Sequence, residues 1–417
     1  MMNSEVNLNE IRNSISNKVG QKKMNIKGER RNLDVYRIPL KLLYYNDQND
    51  RIATYISKYE SDGKKINDLS KDDRNKVIEE FIIMSDKQKF NTTKNNIKNL
   101  GQMEPGVVFI DGRVIDGNRR FTCLRNLYRE TGDNSYGYFE AVILDNDITE
   151  KEIKLMELVL QHGQEGKVDY NPIEKLVGIY RDIIKNHLFD IKEYAKSIDA
   201  KEKDVEKSVE LAKLMIDFLE YINAPEQFYI AKDLQIDGPL NEIYNIKQRI
   251  GTDEEKWNKV RTALYDSILM KTTKEDGSGD ITRIVREFGK KVVNDDDQFE
   301  KFFEKHETYS RKINEKLNEC PRMVDTDYIR NNLREDEELK EGINKEFQNA
   351  IYSARKLEAA HAPVEAIKNL NDDLSKIDLT AVSRINGSDR VEFANQLKIL
   401  KERVEKLEEN FNEVIWC

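Results

Sequence analysis

What this 417-residue chain lacks excludes several kinds of protein at once. It has only three cysteines, Cys123, Cys320 and Cys417, far apart and without paired spacing. That pattern supplies neither a disulfide framework nor a zinc site, and it suits a reducing cytosol, so a cytoplasmic protein is expected. The four histidines, His162, His187, His306 and His361, are scattered and form no ligand spacing. No apolar run approaches the ~20 residues that a membrane span requires. The opening MMNSEVNLNEIRNSISNKVG holds no continuous apolar stretch of the kind a signal peptide carries. Positive charge is not in excess either, because the formal net charge is −9. A protein that grips nucleic acid over its whole surface is usually basic, so any such contact here has to come from a local patch.

What is present is enough for a folded chain of several domains. Hydrophobic residues make up 38% and charged residues 35%, and the 15 Phe and 18 Tyr can furnish a core. Residues 1–33 are locally basic, with Arg12, Lys18, Lys22, Lys23, Lys27, Arg30 and Arg31 against Glu5, Glu10 and Glu29. They read as a flexible arm, either a solubilising tail or a DNA contact. Residues 34–168 read as a mixed α/β domain. DVYRIPL and YFEAVIL are strands, and GVVFI and RVI make a hairpin about Asp111–Gly112. Helices are expected over 75–84, from a cap at Thr92 or Thr93 to about Gly101, over RRFTCLRNLYRETG with a stop at Gly132, and over ITEKEIKLMELVLQH. Residues 169–224 are helical, starting at an Asn171 cap with Pro172 in the first turn. Their last two helices, IKEYAKSI and KDVEKSVELAKLMIDFLEYI, have the tight DAKE link of a helix-turn-helix.

From 225 to about 335 the pattern stays helical, with expected breaks at DGPL (237–240) and KEDGSGD (274–280). Residues 336–417 read as long helices. Phe393, Leu397, Leu400, Val404, Leu407, Phe411 and Val414 alternate four- and three-residue steps, an a/d heptad seam. The seam suits packing within the chain or a homodimer. The expected fold class is therefore α+β: a small mixed-sheet N-terminal domain followed by a mostly α-helical C-terminal half.

One stretch stands out for chemistry. In VIDGNRRFTCLRNL, residues 114–127, a strand gives way to a helix through Gly117, Asn118, Arg119 and Arg120. A tight turn with two solvated arginines is one reading. A phosphate pocket is the other. Gly117 lets the backbone approach a ligand closely, and the first amides of the helix point outward at the positive end of its dipole. Two guanidinium forks match phosphate oxygens.

The order of motifs favours the pocket. IPLKLLYYN…DR, NIKNLGQMEPGVVF, VIDGNRRFTCLRNL and MELVLQHGQEGKVDYNPIEKLVGIY together resemble the N-terminal domain of the ParB/sulfiredoxin superfamily, over roughly residues 34–220. The resemblance implies a nucleotide-binding fold with CTP or ATP as ligand. It carries Gly117, Arg119 and Arg120, with Asn118 between them, onto the phosphate box. It carries Gly101, Gln102 and Pro105 onto a base-side loop, Arg51 onto an early loop arginine, and Lys167 onto the segment after the helix.

The chain departs from the pattern in two places. Asn118 stands where the box ordinarily holds Glu. Gln161–His162 or Gln164–Glu165 replaces a Glu-Asn pair that would sit near a metal, leaving Glu165 as the one direct carboxylate for Mg²⁺. His162 reads either as a general base or phosphate donor, or as a capping or surface residue.

The function implied is a nucleotide-dependent switch, of bacterial or phage origin, in DNA partition, DNA metabolism or phage defence. Two alternatives stay open. One is an enzyme (nuclease, NTPase or small-molecule kinase) with Asp116, Arg119, Arg120 and Glu165 as catalytic candidates. The other is a helical scaffold with a vestigial pocket. For DNA reading, the 203–214 helix offers Lys203, Lys207 and Lys213 against Asp204, Glu206 and Glu210, with no Arg or Gln, which does not suit base recognition.

Overall fold

The computed structural model describes residues 11, 18–26, 29–145, 148–162, 171–271 and 280–415. The chain divides into two compact units, Met1–Ile351 and Tyr352–Cys417. The expected domain boundaries at 168, 224 and 335 all fall inside the first.

The first unit is built on six strands: β1 (Lys18–Ile26), β2 (Glu29–Pro39), β3 (Tyr44–Tyr45), β4 (Gly106–Phe109), β5 (Arg113–Asp116) and β6 (Tyr138–Leu144). They form one mixed sheet in the order β1-β2-β6-β4-β5-β3. β1, β2 and β6 run antiparallel in sequence, β4 lies parallel to β6 and antiparallel to β5, and β3 is parallel to β5. Side chains alternate across the sheet, as strand geometry requires. Val108, Val114 and Ala141 face a core shared with helices Ala53–Ser61, Lys71–Ser85, Lys87–Leu100 and Asn118–Thr131. Their neighbours Val107, Ile115 and Val142 face the other side, against helix Glu150–His162. The expected hairpin about Asp111–Gly112 is present as β4 and β5.

Several expectations need correction. The basic stretch from Lys18 onward is not an arm: β1 and β2 form a long hairpin, its Lys18–Tyr36 pairing running to Ile26–Glu29. Met24 and Ile26 are buried on one face with Lys22 half-buried beside them, so a two-residue alternation was present beneath the lysines. Residues 1–10 and 12–17 lie outside the described residues, as does KEDGSGD apart from Asp280.

Thr92 and Thr93 do not cap a helix. Their hydroxyls donate one turn back, to the carbonyls of Gln88 and Lys89, while Asp86 accepts from the Lys89 amide at 2.9 Å and starts the helix. DGPL is not a break but the first turn of helix Asp237–Ile250, where a proline lacks no hydrogen bond. The Asn171 cap with Pro172 behind it and the Gly132 stop are as expected.

After Asn171 the unit is helical. Glu202–Tyr221 packs against Pro172–Ile179, Ile191–Ser197, Phe228–Asp233 and Asp237–Ile250, burying Val205, Val209, Ala212, Met215 and Leu219. Two buried charge networks tie the helices. In one, fully buried His306 lies 3.1 Å from both Asp266 and Glu346, and the Tyr221 hydroxyl donates to Asp266 at 2.6 Å. Burial alone would push the imidazole down, but the two carboxylates hold it up at about 9.

In the other, the Lys154 ammonium is 2.8 Å from Asp50, 3.6 Å from Asp182 and 3.8 Å from Glu157. Asn46 closes the ring by donating to Glu157. This network joins the loop before helix Ala53–Ser61 to helix Glu150–His162 and to the wide turn Tyr180–Lys185. Burial raises both Glu157 and Asp182 to about 7. Although burial opposes it, the three carboxylates hold Lys154 above its usual range.

The second unit contains the end of helix Glu337–Ser375, the turn Leu379–Val382 and helix Gly387–Ile415. Within it the heptad seam is largely bare: Leu397, Val404, Leu407 and Phe411 are all exposed.

Both networks yield expected outcomes in urea unfolding. Lys154→Met strands three buried carboxylates and should cost about 3–5 kcal/mol at pH 7.5. The loss should shrink at pH 5, where Glu157 and Asp182 take up protons. His306 binds its proton more tightly folded than unfolded. Its contribution is complete below the ordinary value of 6.5 and is lost as pH rises through about 9. Wild type should therefore lose on the order of 3 kcal/mol between pH 6 and pH 10 through this group, and His306→Gln should lack that slope.

Candidate functional site

β5 ends at Asp116 and the chain turns at Gly117, whose φ of 93° lies in the left-handed region. A side chain there would be strained, and its Cβ would sit 2.9 Å from the Phe139 ring and 2.9 Å from the Arg120 guanidinium. Helix Asn118–Thr131 starts at once, and no side chain caps it. Its first internal bond runs from the Phe121 amide to the Gly117 carbonyl, 2.9 Å. The amides of Asn118, Arg119 and Arg120 therefore precede the ladder and have no partner within it. The first turn is held in place from below. Phe121 packs on Tyr45 and Phe139, with ring centroids 4.8 and 5.8 Å apart. The Tyr45 hydroxyl meets Thr122 Oγ1 at 2.9 Å, and Thr122 donates to the Asn118 carbonyl.

The four arginines of this helix separate into two kinds. Arg125 and Arg129 share the buried carboxylate of Glu79, which clamps the helix to Lys71–Ser85. Arg120 reaches back one turn to Asp116, 3.1 Å away. Arg119 has no ion pair among the described residues, and its Nε is buried without a hydrogen-bond partner. Burial, and then the like charge of Arg51, hold its guanidinium below the ordinary range, while Asp86 only partly offsets this. Two like charges, Arg119 and Arg51, are thus brought together in a half-buried place. The nearby Cys123 thiol is pushed up to about 12 by burial, so it is no nucleophile at neutral pH. The buried Oδ1 of Asn118 also lacks a partner.

Arg51 sits in the short turn Asp50–Ile52, its amide donating to Asn49 at 3.1 Å. Its neighbour Asp50 is the closest partner of Lys154. Arg51 also lies within electrostatic reach of Glu174, which burial raises and which Lys232 pairs with at 2.6 Å.

Of the base-side candidates, Gln102 is taken up by the backbone. Its amide nitrogen donates to the Glu140 carbonyl at 2.7 Å, and its oxygen accepts from the Glu140 amide at 2.9 Å. Gly101 closes helix Lys87–Leu100 and is exposed. The Pro105 carbonyl accepts from Lys22 Nζ at 2.6 Å.

Lys22 is the residue that sequence reasoning missed. It lies 3.9 Å from Asp116, and burial lowers its ammonium, with Asp116 opposing and Arg120 adding to the effect. Its signal was the alternation Lys22-Met24-Ile26, hidden in a segment read as an arm. The candidate Asp116 is thus flanked by Arg120 and Lys22, a position that fits orienting these cations better than acting as a base.

His162 ends its helix, but its side chain, together with Glu165 and Lys167, lies outside the described residues. Among the described residues no cluster of His, Cys, Asp or Glu is arranged to hold a metal ion. In the 203–214 segment two of the three lysines have partners within the chain. Lys213 pairs with Glu210 at 2.7 Å, and Lys207 lies over the Tyr244 ring. No helix among the described residues is long and apolar enough to cross a membrane.

No protein-family model matches the chain, and no curated protein sequence does. Two similar solved structures are of the C-terminally truncated chromosome-partitioning protein ParB from Caulobacter crescentus. One is complexed to the centromeric parS site: 12% identity, TM-score 0.31, covering 61% of this chain and 98% of that one. The other is complexed with CTP-gamma-S: 12% identity, TM-score 0.19, covering 56% and 98%. Superpositions this loose assign no role to any residue here.

Proposed function

We propose that this chain is a ParB-like nucleotide-binding protein that seats the phosphates of CTP or ATP on the Gly117–Arg120 turn. The observation that carries the reading is Arg119. It is the one arginine of its helix with no carboxylate at ion-pair distance among the described residues, Asp86 acting only from farther off, and it stands beside the like-charged Arg51. A phosphate there relieves the repulsion and takes up the uncapped amides of the first turn. Arg120 and Lys22 extend the positive surface past Asp116. The choice of nucleotide rests on the motif order around GNRR and on no structural likeness. Any Mg²⁺ would arrive with the triphosphate, because the described residues hold no site for it. Glu165 remains the candidate for its one protein carboxylate.

Occupancy would act as a switch by pulling on Arg51. Asp50, the preceding residue, is bonded to Lys154, so the site and the joint to the helical bundle share one short turn. A switch of this kind requires different affinities in the two positions of the turn. The bare heptad seam of Gly387–Ile415 supports a homodimer.

Two measurements test this reading. Calorimetric titration of the full chain with CTP, ATP, GTP and ADP, with and without Mg²⁺, should give binding by CTP or ATP that Arg119→Ala weakens at least about tenfold, roughly 1.4 kcal/mol. No binding by any of the four to wild type overturns it. Light scattering should give twice the monomer mass, returned to monomer by Leu397→Glu with Leu407→Glu. A wild-type monomer at micromolar concentration removes the dimer.

A further inference from the structure

β1 is one edge of the sheet, and no strand among the described residues pairs with its outer side. A groove of about 430 Å³ runs along it. One wall is four consecutive residues, Lys22 to Asn25. Successive side chains of a strand point to opposite faces, so a wall that takes in four consecutive residues includes the edge of the strand, with Arg30 reaching it from β2. The other wall is Met156, Val159 and Leu160, a single apolar stripe of helix Glu150–His162. An unpaired edge facing an apolar helix stripe is the geometry in which an extended peptide joins a sheet as one more strand.

Charge decides what kind of peptide fits. Lys23 and Arg30 line the same groove, both exposed, and neither forms an ion pair with a carboxylate among the described residues. Lysines on an edge keep it from pairing with its own kind. A second copy of β1 would bring Lys22 and Lys23 against like charges, so self-pairing is disfavoured and an acidic strand is favoured.

We propose that this groove binds an extended segment of a partner protein in which apolar and acidic residues alternate. The backbone would pair with β1, the apolar side chains would rest on Met156, Val159 and Leu160, and the carboxylates would meet Lys23 and Arg30. This goes beyond the nucleotide site and does not depend on it.

The probe is a phage-displayed library of random peptides of about ten residues, selected on the full chain and followed by anisotropy titration of synthetic versions. Enriched peptides should alternate Val, Ile or Leu with Asp or Glu. Bound peptide should slow amide hydrogen exchange in residues 22–25. Val159→Arg, which replaces an exposed side chain, should weaken binding at least about tenfold, as should Lys23→Glu with Arg30→Glu, each with unchanged circular dichroism. Three outcomes overturn the proposal: no enriched peptide, enriched peptides that bind Val159→Arg as tightly as wild type, or slowed exchange at 22–25 that rises with chain concentration alone, which would make a second copy the occupant.

Discussion

A single ammonium among three carboxylates holds the loop that carries Arg51. Lys154 holds Asp50 from the loop before helix Ala53–Ser61, Glu157 from its own helix, and Asp182 from the bundle. Burying such charges is costly, so once they are buried the loss of one partner costs about 3–5 kcal/mol. Exposed pairs, such as those along the surface of Gly387–Ile415, are worth about 0–1 kcal/mol and decide little. The buried joint is therefore where sheet and bundle are registered, and Arg51 inherits its position from it. Burial above all, with the added repulsion of Asp50, is why Glu157 and Asp182 titrate near neutrality instead of staying ionised.

The contrast between structural and unspent charge runs through the molecule. Glu79 between Arg125 and Arg129, and His306 between Asp266 and Glu346, are closed sets in which each charge is answered. Arg119 has no such pairing among the described residues. It stands at an uncapped helix start braced by Phe121, Tyr45 and Thr122, with the like charge of Arg51 beside it. A guanidinium held in a rigid frame is in keeping with the phosphate site proposed above.

Much of the α+β architecture was legible because it rests on short-range rules. The Asp111–Gly112 hairpin, the Asn171–Pro172 start, the Gly132 stop and the strand-to-helix change at Gly117 each follow from one or two residues whose backbone preferences are strong. Errors came where composition masked pattern. The lysines of KVGQKKMNI obscured its two-residue alternation, and with it Lys22. Asp86 outcompeted Thr92 and Thr93 as a cap because an Asx residue ahead of a helix outranks a threonine within it. Pro239 was read as a breaker where a first-turn position accommodates it. The role of Gln102 was out of reach, since its partner at Glu140 is 38 residues away. So was the Lys154 network, whose members are brought together only by the fold.

The Phe139 ring ties two backbone positions into one unit. It lies 2.3 Å from where a Cβ on Gly106 would be and 2.9 Å from where one on Gly117 would be. The start of β4 and the Gly117 turn therefore both press on one ring. In divergence among copies of this fold, these three positions are not free to drift separately. A larger residue at 106 or 117 would press on the ring at 139, and shrinking the ring to make room would remove the support beneath Phe121 while leaving the Asp116 carbonyl in the way at 106 and the left-handed backbone at 117. The turn that carries Arg119 and Arg120 is thus guarded by packing on its underside, quite apart from any selection acting on the arginines themselves.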